Sequence, residues 1–416
     1  MPGIRYTIRA QRVTHPKKEA MRAPGQGARW VLRSLGMHDT ALSLLRDYIA
    51  IPSVNPMGRD DLSPQITGEA RYAERVARDL TRLGLDHVLL GDGDRRSVYA
   101  EARATGARDT VVIASHLDTV PVDGMTIPAF DPRVTADRVH GRGSTDTKGG
   151  LAAAIAALER VLSRGKLKRN VIIAGQADEE MSSVGAFDLL GSLAPSISDR
   201  AGTMWAIATE PTELRIVTHH KGVARLVVSA RGVAAHSSDP AQGDNAILRL
   251  CRGLLALDRY ASTLTQHTDP LLGSPTLSVG TVRGGRAPNI VPDAAHANVD
   301  RRMLPGETEH SVTAEFVRAL GDPELAVDCH IEKPPLGLSA ASPAVLACAQ
   351  ALTSLGLDAS PAAVAFGTDA GLFDQAGVPC VVMGPGSIRQ AHTQDEYLDV
   401  SQLEAMTRFF TALFGQ

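Results

Sequence analysis

Short, fully apolar segments alternate with helical periods along most of this chain. Residues 171–175 carry no polar side chain, and they follow a very regular helical period at residues 151–164. A strand this apolar is buried on both faces, which is typical of parallel sheets whose connecting helices cover them. The sequence therefore predicts an α/β fold built on a mostly parallel sheet covered by helices.

The same alternation continues on both sides of this helix and strand. Apolar strands are predicted at residues 97–102, 110–115, 206–208 and 378–383. Helices are predicted from Met37 to about residue 51, at 69–83, at 342–355, at 369–375 and from Val400 onward. The first of these helices ends before Pro52, because proline disfavours helical geometry in the residue that precedes it.

Residues 216–332 interrupt the pattern with a different order of elements. Strands are predicted at 225–230, 276–282, 294–301 and 325–331, and helices at 245–260 and 308–320. This order of strand, helix, two strands, helix and strand is typical of a small α+β open-faced sandwich. We therefore expect residues 216–332 to be inserted into a larger domain formed by residues 37–215 and 333–416.

Residues 1–36 differ from the rest of the chain, because many basic side chains accompany the single acid Glu19 and no apolar run is present. A secretory signal needs a central run of about 7–15 apolar residues. We therefore expect a disordered or loosely attached extension here, with a targeting peptide as the alternative.

Charge and cysteine content exclude several kinds of partner. The formal net charge is -3, which gives no field strong enough to indicate nucleic acid or an anionic membrane. No stretch reaches the roughly 20 apolar residues of a transmembrane helix. The four cysteines lie far apart without a CxxC pair, which favours reduced thiols in a cytoplasmic protein over a disulfide framework or a zinc ribbon.

Side chains that can bind metal ions follow the predicted strands. They lie at the edge where the carboxyl ends of parallel strands form a crevice. His116 and Asp118 follow the strand at 110–115, and residues two apart on an extended chain point the same way. His116 could therefore bind a metal ion while Asp118 accepts the hydrogen bond of its other ring nitrogen. A His-x-Asp pair alone is a weak signal.

The glycine-rich stretch 141–150 contains Asp146 and leads into the next helix. A phosphate cradle does not fit, because neither GxxxxGK[ST] nor GxGxxG is present and Asp146 places a negative charge where phosphate would sit. An aspartate among glycines is better suited to bridging two cations. A polar turn that caps the helix is the alternative.

Three adjacent acids, Asp178, Glu179 and Glu180, come directly after the apolar strand at 171–175. Acids beside a hydrophobic core are costly unless cations compensate them. Neighbouring glutamates on a non-helical chain point in different directions, so one can bind metal while the other faces the reacting water. A solvated acidic turn is the alternative.

Two further segments place a metal-type ligand after a strand. Glu210 follows residues 206–208, and His392 lies in the polar stretch 384–397, which follows residues 378–383. Each segment alone could be a loop. All five together are hard to explain without a metal centre.

Together these segments resemble the M20 metallopeptidase family, which includes acetylornithine deacetylase, succinyl-diaminopimelate desuccinylase, aminoacylase and glutamate carboxypeptidase. The resemblance extends from about Met37 to the end of the sequence. It implies a two-zinc amide-bond hydrolase, although cobalt or manganese would suit the same donors. It also implies a catalytic domain formed by residues 37–215 and 333–416, and a lid and dimerisation domain at 216–332.

The resemblance implies five metal ligands, with Asp146 shared. One zinc would be held by His116, Asp146 and Glu210, and the second by Asp146, Glu180 and His392. Glu179 would be the general base, and Asp118 would orient the ring of His116.

In the inserted segment, residues 232–238 resemble the family stretch whose histidine, here His236, reaches the active site of the neighbouring subunit and helps hold the scissile carbonyl oxygen. This resemblance implies a homodimer; a simple strand-end cap is the alternative for His236. Asn289 and Arg302 occupy positions that contact the substrate carboxylate in relatives, a role suited to the planar fork of arginine. Arg301 is an adjacent competitor.

Within the family, residues 384–397 and 220–222 look most like acetylornithine deacetylase, which predicts hydrolysis of a small N-acyl amino acid. Desuccinylase activity is an alternative, although relatives of that branch carry a serine- and glycine-rich loop where this chain has residues 365–370. Carboxypeptidase or dipeptidase activity is another. Phosphate-ester hydrolysis would need a basic cluster that is not obvious here, and a non-catalytic metal-binding protein would have no use for a free base at Glu179.

Overall fold

Helices are distributed along the whole length that the computed structural model describes, which comprises residues 37–199 and 203–416. The extension expected at residues 1–36 lies outside this range. The helices are α1 (Met37–Ile49), α2 (Ala70–Arg82), α3 (Gly149–Ser163), α4 (Val184–Asp199), α5 (Ala246–Thr263), α6 (Glu309–Leu320), α7 (Pro343–Ser354), α8 (Ala370–Gln375) and α9 (Val400–Gly415). Among these described helices, we find none with the length and apolar character needed to cross a membrane.

The strands lie in three sheets. In chain order they are β1 (His87–Leu90), β2 (Ser97–Ala102), β3 (Thr110–His116), β4 (Arg133–Val134), β5 (Arg138–His140), β6 (Asn170–Gln176), β7 (Met204–Ala208), β8 (Ile216–His220), β9 (Gly222–Arg231), β10 (Thr276–Gly284), β11 (Ala294–Met303), β12 (Leu325–Lys333), β13 (Leu336–Gly337), β14 (Pro361–Val364), β15 (Cys380–Val382) and β16 (Tyr397–Asp399).

The large sheet has the order β1-β2-β6-β3-β7-β15-β8-β13, with β14 paired to β8. Its central strands β6, β3, β7 and β15 are parallel to one another. The pairs β1–β2, β2–β6, β15–β8 and β8–β13 are antiparallel, a common addition to a parallel centre. The predicted α/β class is confirmed, and the carboxyl ends of the four central strands meet at one edge.

Helix α3 connects this edge of the sheet to the hydrophobic core. Its residues Leu151, Ile155 and Leu158 are fully buried, because α3 packs between the large sheet and the helices α1 and α9. The loop that contains Asp146 leads directly into this helix.

The smaller antiparallel sheet has the order β10-β11-β9-β12. Residues alternate between buried and more exposed along β11, so one face covers a core and the other faces outward. Side chains of α5 and α6, including Leu250 and Phe316, pack on the buried face and form a separate hydrophobic core. The predicted open-faced α+β sandwich is confirmed.

The start of this smaller unit differs from the expectation. Strand β8 begins at Ile216 but pairs within the large sheet, and Ile216 and Val217 belong to the large hydrophobic core. The first strand of the smaller sheet, β9, begins at Gly222. Residues 216–217 are apolar and pack in the large hydrophobic core. The change in the order of predicted elements had indicated a boundary at this position. The division into domains at 37–215, 216–332 and 333–416 stays a prediction.

Candidate metal centre

Polar side chains collect where the four central strands of the large sheet end. Strand β3 ends at His116, and β6 is followed by the turn with Glu179 and Glu180. Glu210 follows β7, and the loop with His392 follows β15. Because these strands are parallel, their carboxyl ends bring residues that are distant in sequence to one place.

Asp146 lies between two histidines. The Nε2 atom of His116 is 2.9 Å from Asp146 Oδ1 and 4.0 Å from Glu210 Oε2. The Nε2 atom of His392 is 3.2 Å from both Asp146 Oδ2 and Glu180 Oε1. The two oxygens of Asp146 therefore face two different groups, as a bridging ligand requires. The structure brings together all five side chains that the sequence suggested as ligands.

The charges at this position fit divalent cations. Burial raises the pKa of Glu210 well above its usual value and also raises the pKa of Glu180. Buried carboxylates this close together are costly unless a cation compensates them. The donor atoms of His116, Asp146 and Glu180 lie within 4.8 Å of one another, and so do those of His116, Glu179 and Glu210. Imidazole nitrogen and carboxylate oxygen are common donors for zinc and related ions.

A buried carboxylate that the sequence analysis did not single out, Glu396, organises the loop around Asp146. Its oxygens accept hydrogen bonds from the backbone N–H groups of Gly143 at 2.9 Å, Thr145 at 2.9 Å and Asp146 at 3.1 Å. They also accept one from Arg142 Nη1 at 2.8 Å. Strand β16, which pairs with β5, places Glu396 there. The short distance in sequence from His392 is the one signal that could have identified it.

We expect Glu396→Gln to weaken metal binding by about 10- to 100-fold, the usual effect of removing support behind a ligand. The amide replaces one acceptor oxygen with an NH₂ group that faces N–H donors, so the Asp146 loop loses part of its support. Calorimetric titration of metal-free protein with zinc measures the change. The exposed Glu324→Gln serves as control, and an unchanged zinc affinity in Glu396→Gln would contradict the role of Glu396.

Asp118 contacts both the His116 ring and the neighbouring turn. The nearest acceptor for His116 Nδ1 is the backbone oxygen of Asp118 at 2.9 Å, whereas its carboxylate Oδ1 lies at 3.5 Å. The carboxylate instead accepts hydrogen bonds from the backbone N–H groups of Glu179 and Glu180, at 3.1 and 3.0 Å, and from Asn55 Nδ2 at 2.8 Å. The carboxylate therefore contacts both the His116 ring and the turn with the two glutamates, and its role in orienting His116 stays a prediction.

Glu179 lies beside the metal-ligand group, and its carboxylate accepts a hydrogen bond from a lysine. Its Oε1 atom accepts a hydrogen bond of 2.6 Å from Lys333 Nζ. Burial raises the pKa of Glu179 to about 7, against the lowering effect of the Lys333 charge. A carboxylate with a pKa near neutrality is suited to taking and returning a proton. No local sequence pattern points to Lys333.

The three predicted site residues of the inserted segment lie outside the group of candidate metal ligands. His236 and Asn289 are exposed and adjacent, because Ser237 donates a backbone hydrogen bond of 3.1 Å to the Asn289 oxygen. Arg302 Nε donates to Asp300 Oδ1 at 3.0 Å. In the described part of the chain, no hydrogen bond or ion pair joins His236, Asn289 or Arg302 to the candidate metal ligands.

Arg301, the competitor of Arg302, is fully buried in the smaller unit. Its Nη2 atom lies 2.5 Å from Glu307 Oε1. This ion pair occupies the guanidinium, so Arg302 is the more available of the two arginines.

Comparisons with known proteins show which family this chain is similar to. The sequence profile of "Peptidase family M20/M25/M40" matches residues 112–416. An acetylornithine deacetylase of Myxococcus xanthus is 31% identical over 74% of this chain and 80% of its own length. A probable carboxypeptidase of Aspergillus terreus is 33% identical over 75% of this chain and 72% of its own length. An M20 family metallo-carboxypeptidase structure from Sulfolobus solfataricus has a TM-score of 0.70 at 20% identity, covering 91% of this chain and 99% of that one.

A parallel-sheet edge that carries imidazole and carboxylate side chains beside a further glutamate has the groups that a metal-dependent hydrolase needs. The chain belongs to peptidase family M20/M25/M40, since the family profile covers well over half of its length. The protein is therefore an amide-bond hydrolase of the peptidase and deacylase class.

Proposed function

We propose that this protein is a zinc-dependent amidohydrolase that cleaves the amide bond of a small N-acyl amino acid, in the manner of an acetylornithine deacetylase. One observation carries the proposal: Asp146 stands between His116 and His392, while Glu179 lies beside this group and pairs with Lys333. The Myxococcus xanthus relative supports the N-acyl amino acid class.

The donor set suits two zinc ions, and cobalt or manganese would fit the same donors. One ion would be held by His116, Asp146 and Glu210, and the other by Asp146, Glu180 and His392. Bound metal supplies polarisation of the amide carbonyl and a lower pKa of water.

Glu179 acts as the general base and then as the general acid. It takes a proton from the attacking water as the water oxygen forms a bond to the amide carbon. The carbon–nitrogen bond then breaks, and protonated Glu179 returns the proton to the leaving nitrogen. The products are a carboxylic acid and a free amine. Burial raises the pKa of Glu179, and a carboxyl group with a raised pKa is suited to taking and returning a proton.

We further propose that the enzyme is a homodimer in which His236 serves the site of the other subunit, where it stabilises the tetrahedral oxyanion. Asn289 and Arg302 hold the substrate carboxylate. The exposure of His236 and Asn289 supports this role. Light scattering combined with an activity assay tests it, because a fully active monomer would refute the dimer. We also propose a cytoplasmic location, which the free state of all four cysteines supports.

A substrate panel tests the main proposal. It contains N-acetyl, N-succinyl and N-formyl amino acids, dipeptides and phosphate esters, each assayed with added zinc. We expect N-acetyl amino acids to give the highest kcat/KM, with activity lost on chelation and restored by zinc.

Carboxypeptidase or dipeptidase activity is the second candidate, favoured by the name of the Aspergillus terreus relative. Dipeptides as the best substrates would select it, and N-succinyl amino acids would select a desuccinylase. Turnover of phosphate esters alone, or metal binding without any turnover, would overturn the proposed amide hydrolysis.

A further inference from the structure

Lys333 is a buried cation at the junction of the two sheets. It is the last residue of β12 in the smaller sheet, and its side chain is 6% exposed. It pairs with Val223 of β9 after an irregularity in the register. Its ammonium group nevertheless reaches the turn that carries Glu179 in the large sheet.

The ammonium group contacts four acceptors. Lys333 Nζ lies 2.6 Å from Glu179 Oε1 and 2.8 Å from the Glu179 backbone oxygen. It also lies 2.6 Å from Ser183 Oγ and 2.6 Å from Asp369 Oδ1. An ammonium group has three N–H donors, so none remains for a substrate. Lys333 therefore acts on other residues of the chain.

The two contacts to Glu179 have a geometric consequence. Binding both the backbone oxygen and Oε1 of one residue restricts rotation of its side chain. The same carboxyl group also has an oxygen within 4.8 Å of the ligand atoms of His116 and Glu210. Two further residues bind the lysine ammonium group. Ser183 lies on the far side of the turn, and Asp369 lies at the start of α8.

We propose that Lys333 is the positioning residue of Glu179, and that it couples the orientation of this base to β12, the strand of the smaller sheet that ends at Lys333. This inference rests on the proposed function, because it takes Glu179 as the base. A displacement of β12 relative to the large sheet would move Nζ and with it the Glu179 carboxylate. The smaller unit thus influences the chemical step through its own polypeptide chain.

A double-mutant cycle tests the proposal. Lys333→Met keeps the length of the side chain and removes the donors. We expect kcat to fall by about 10- to 100-fold, the scale of a misplaced catalytic group, with KM and the bound metal per chain unchanged. In a Glu179→Gln background the same substitution should leave kcat unchanged, because a residue that acts only through Glu179 has nothing left to position.

The exposed Lys168→Met is the matched control, with kcat expected to equal that of the wild type. If Lys333→Met does not fold, Lys333→Gln takes its place in the cycle, because its amide keeps part of the hydrogen bonding. If the Lys333 substitution lowers kcat by the same factor in both backgrounds, the positioning role is overturned. An unimpaired Glu179→Gln single variant would instead overturn the proposed base, so the two failures are distinguishable.

Discussion

Glu179→Gln is expected to lower kcat by about 10²–10⁴-fold, the usual contribution of a general base. The substitution preserves the shape of the side chain and leaves an oxygen that can accept the hydrogen bond from Lys333. The amide cannot take a proton from water. Because Glu179 is not one of the five proposed ligands, the metal content should stay at the wild-type value. Steady-state kinetics on the best N-acyl amino acid and elemental analysis of the purified variant measure both quantities.

The control is Glu74→Gln, which changes an exposed glutamate on α2 and should leave kcat unchanged. Full activity of Glu179→Gln would remove Glu179 from the mechanism. Loss of metal together with activity would instead show that Glu179 is a ligand.

Asp146→Asn is expected to remove most bound metal and to lower kcat by at least about 100-fold, the upper range for losing support behind a ligand. Asp146 places one oxygen 2.9 Å from His116 and the other 3.2 Å from His392. Asparagine has only one such oxygen, so it cannot serve both sides. Elemental analysis after dialysis gives the metal content, and assays at rising zinc concentration give the activity.

The exposed Asp358→Asn provides the control for the loss of one carboxylate. An Asp146→Asn variant that retains two metal ions per chain and wild-type kcat would contradict the bridging role. Recovery of activity only at high zinc concentration would support it, because weakened affinity can be offset by mass action.

The position of the candidate ligands was predictable because it depends on local patterns. His116 is the last residue of β3, and Glu210 lies two residues after β7; every residue of both strands is buried. A fully apolar run identifies such a strand from sequence, and parallel order brings the strand ends together. The same reasoning explains why the α/β class was predicted correctly.

The supporting residues were not predictable, because their roles arise from tertiary contacts. Glu396 reaches the Asp146 loop through the pairing of β16 with β5. Lys333 reaches Glu179 from a different sheet. A single lysine before two prolines has no local pattern that distinguishes a buried position from an exposed one.

Some elements escaped prediction for reasons of burial and composition. Helix α4 contains Pro195, a residue type that is unfavourable in the interior of a helix. Leu189 and Leu193 of this helix are nevertheless buried and pack in the large core. Strand β1 is mostly exposed, so it has no apolar alternation to reveal it. Strand β15 is shorter than the predicted 378–383, because apolar flanking residues extend the pattern beyond the hydrogen-bonded ladder.

The order of the ligands along the chain has a consequence for synthesis. In the proposed assignment, His116, Asp146 and Glu210 leave the ribosome before the inserted sheet, whereas His392 emerges much later. The chain must therefore be synthesised as far as His392 before all five candidate ligands can meet. The complete group forms only when the segment after β15 has folded against the Asp146 loop and Glu180.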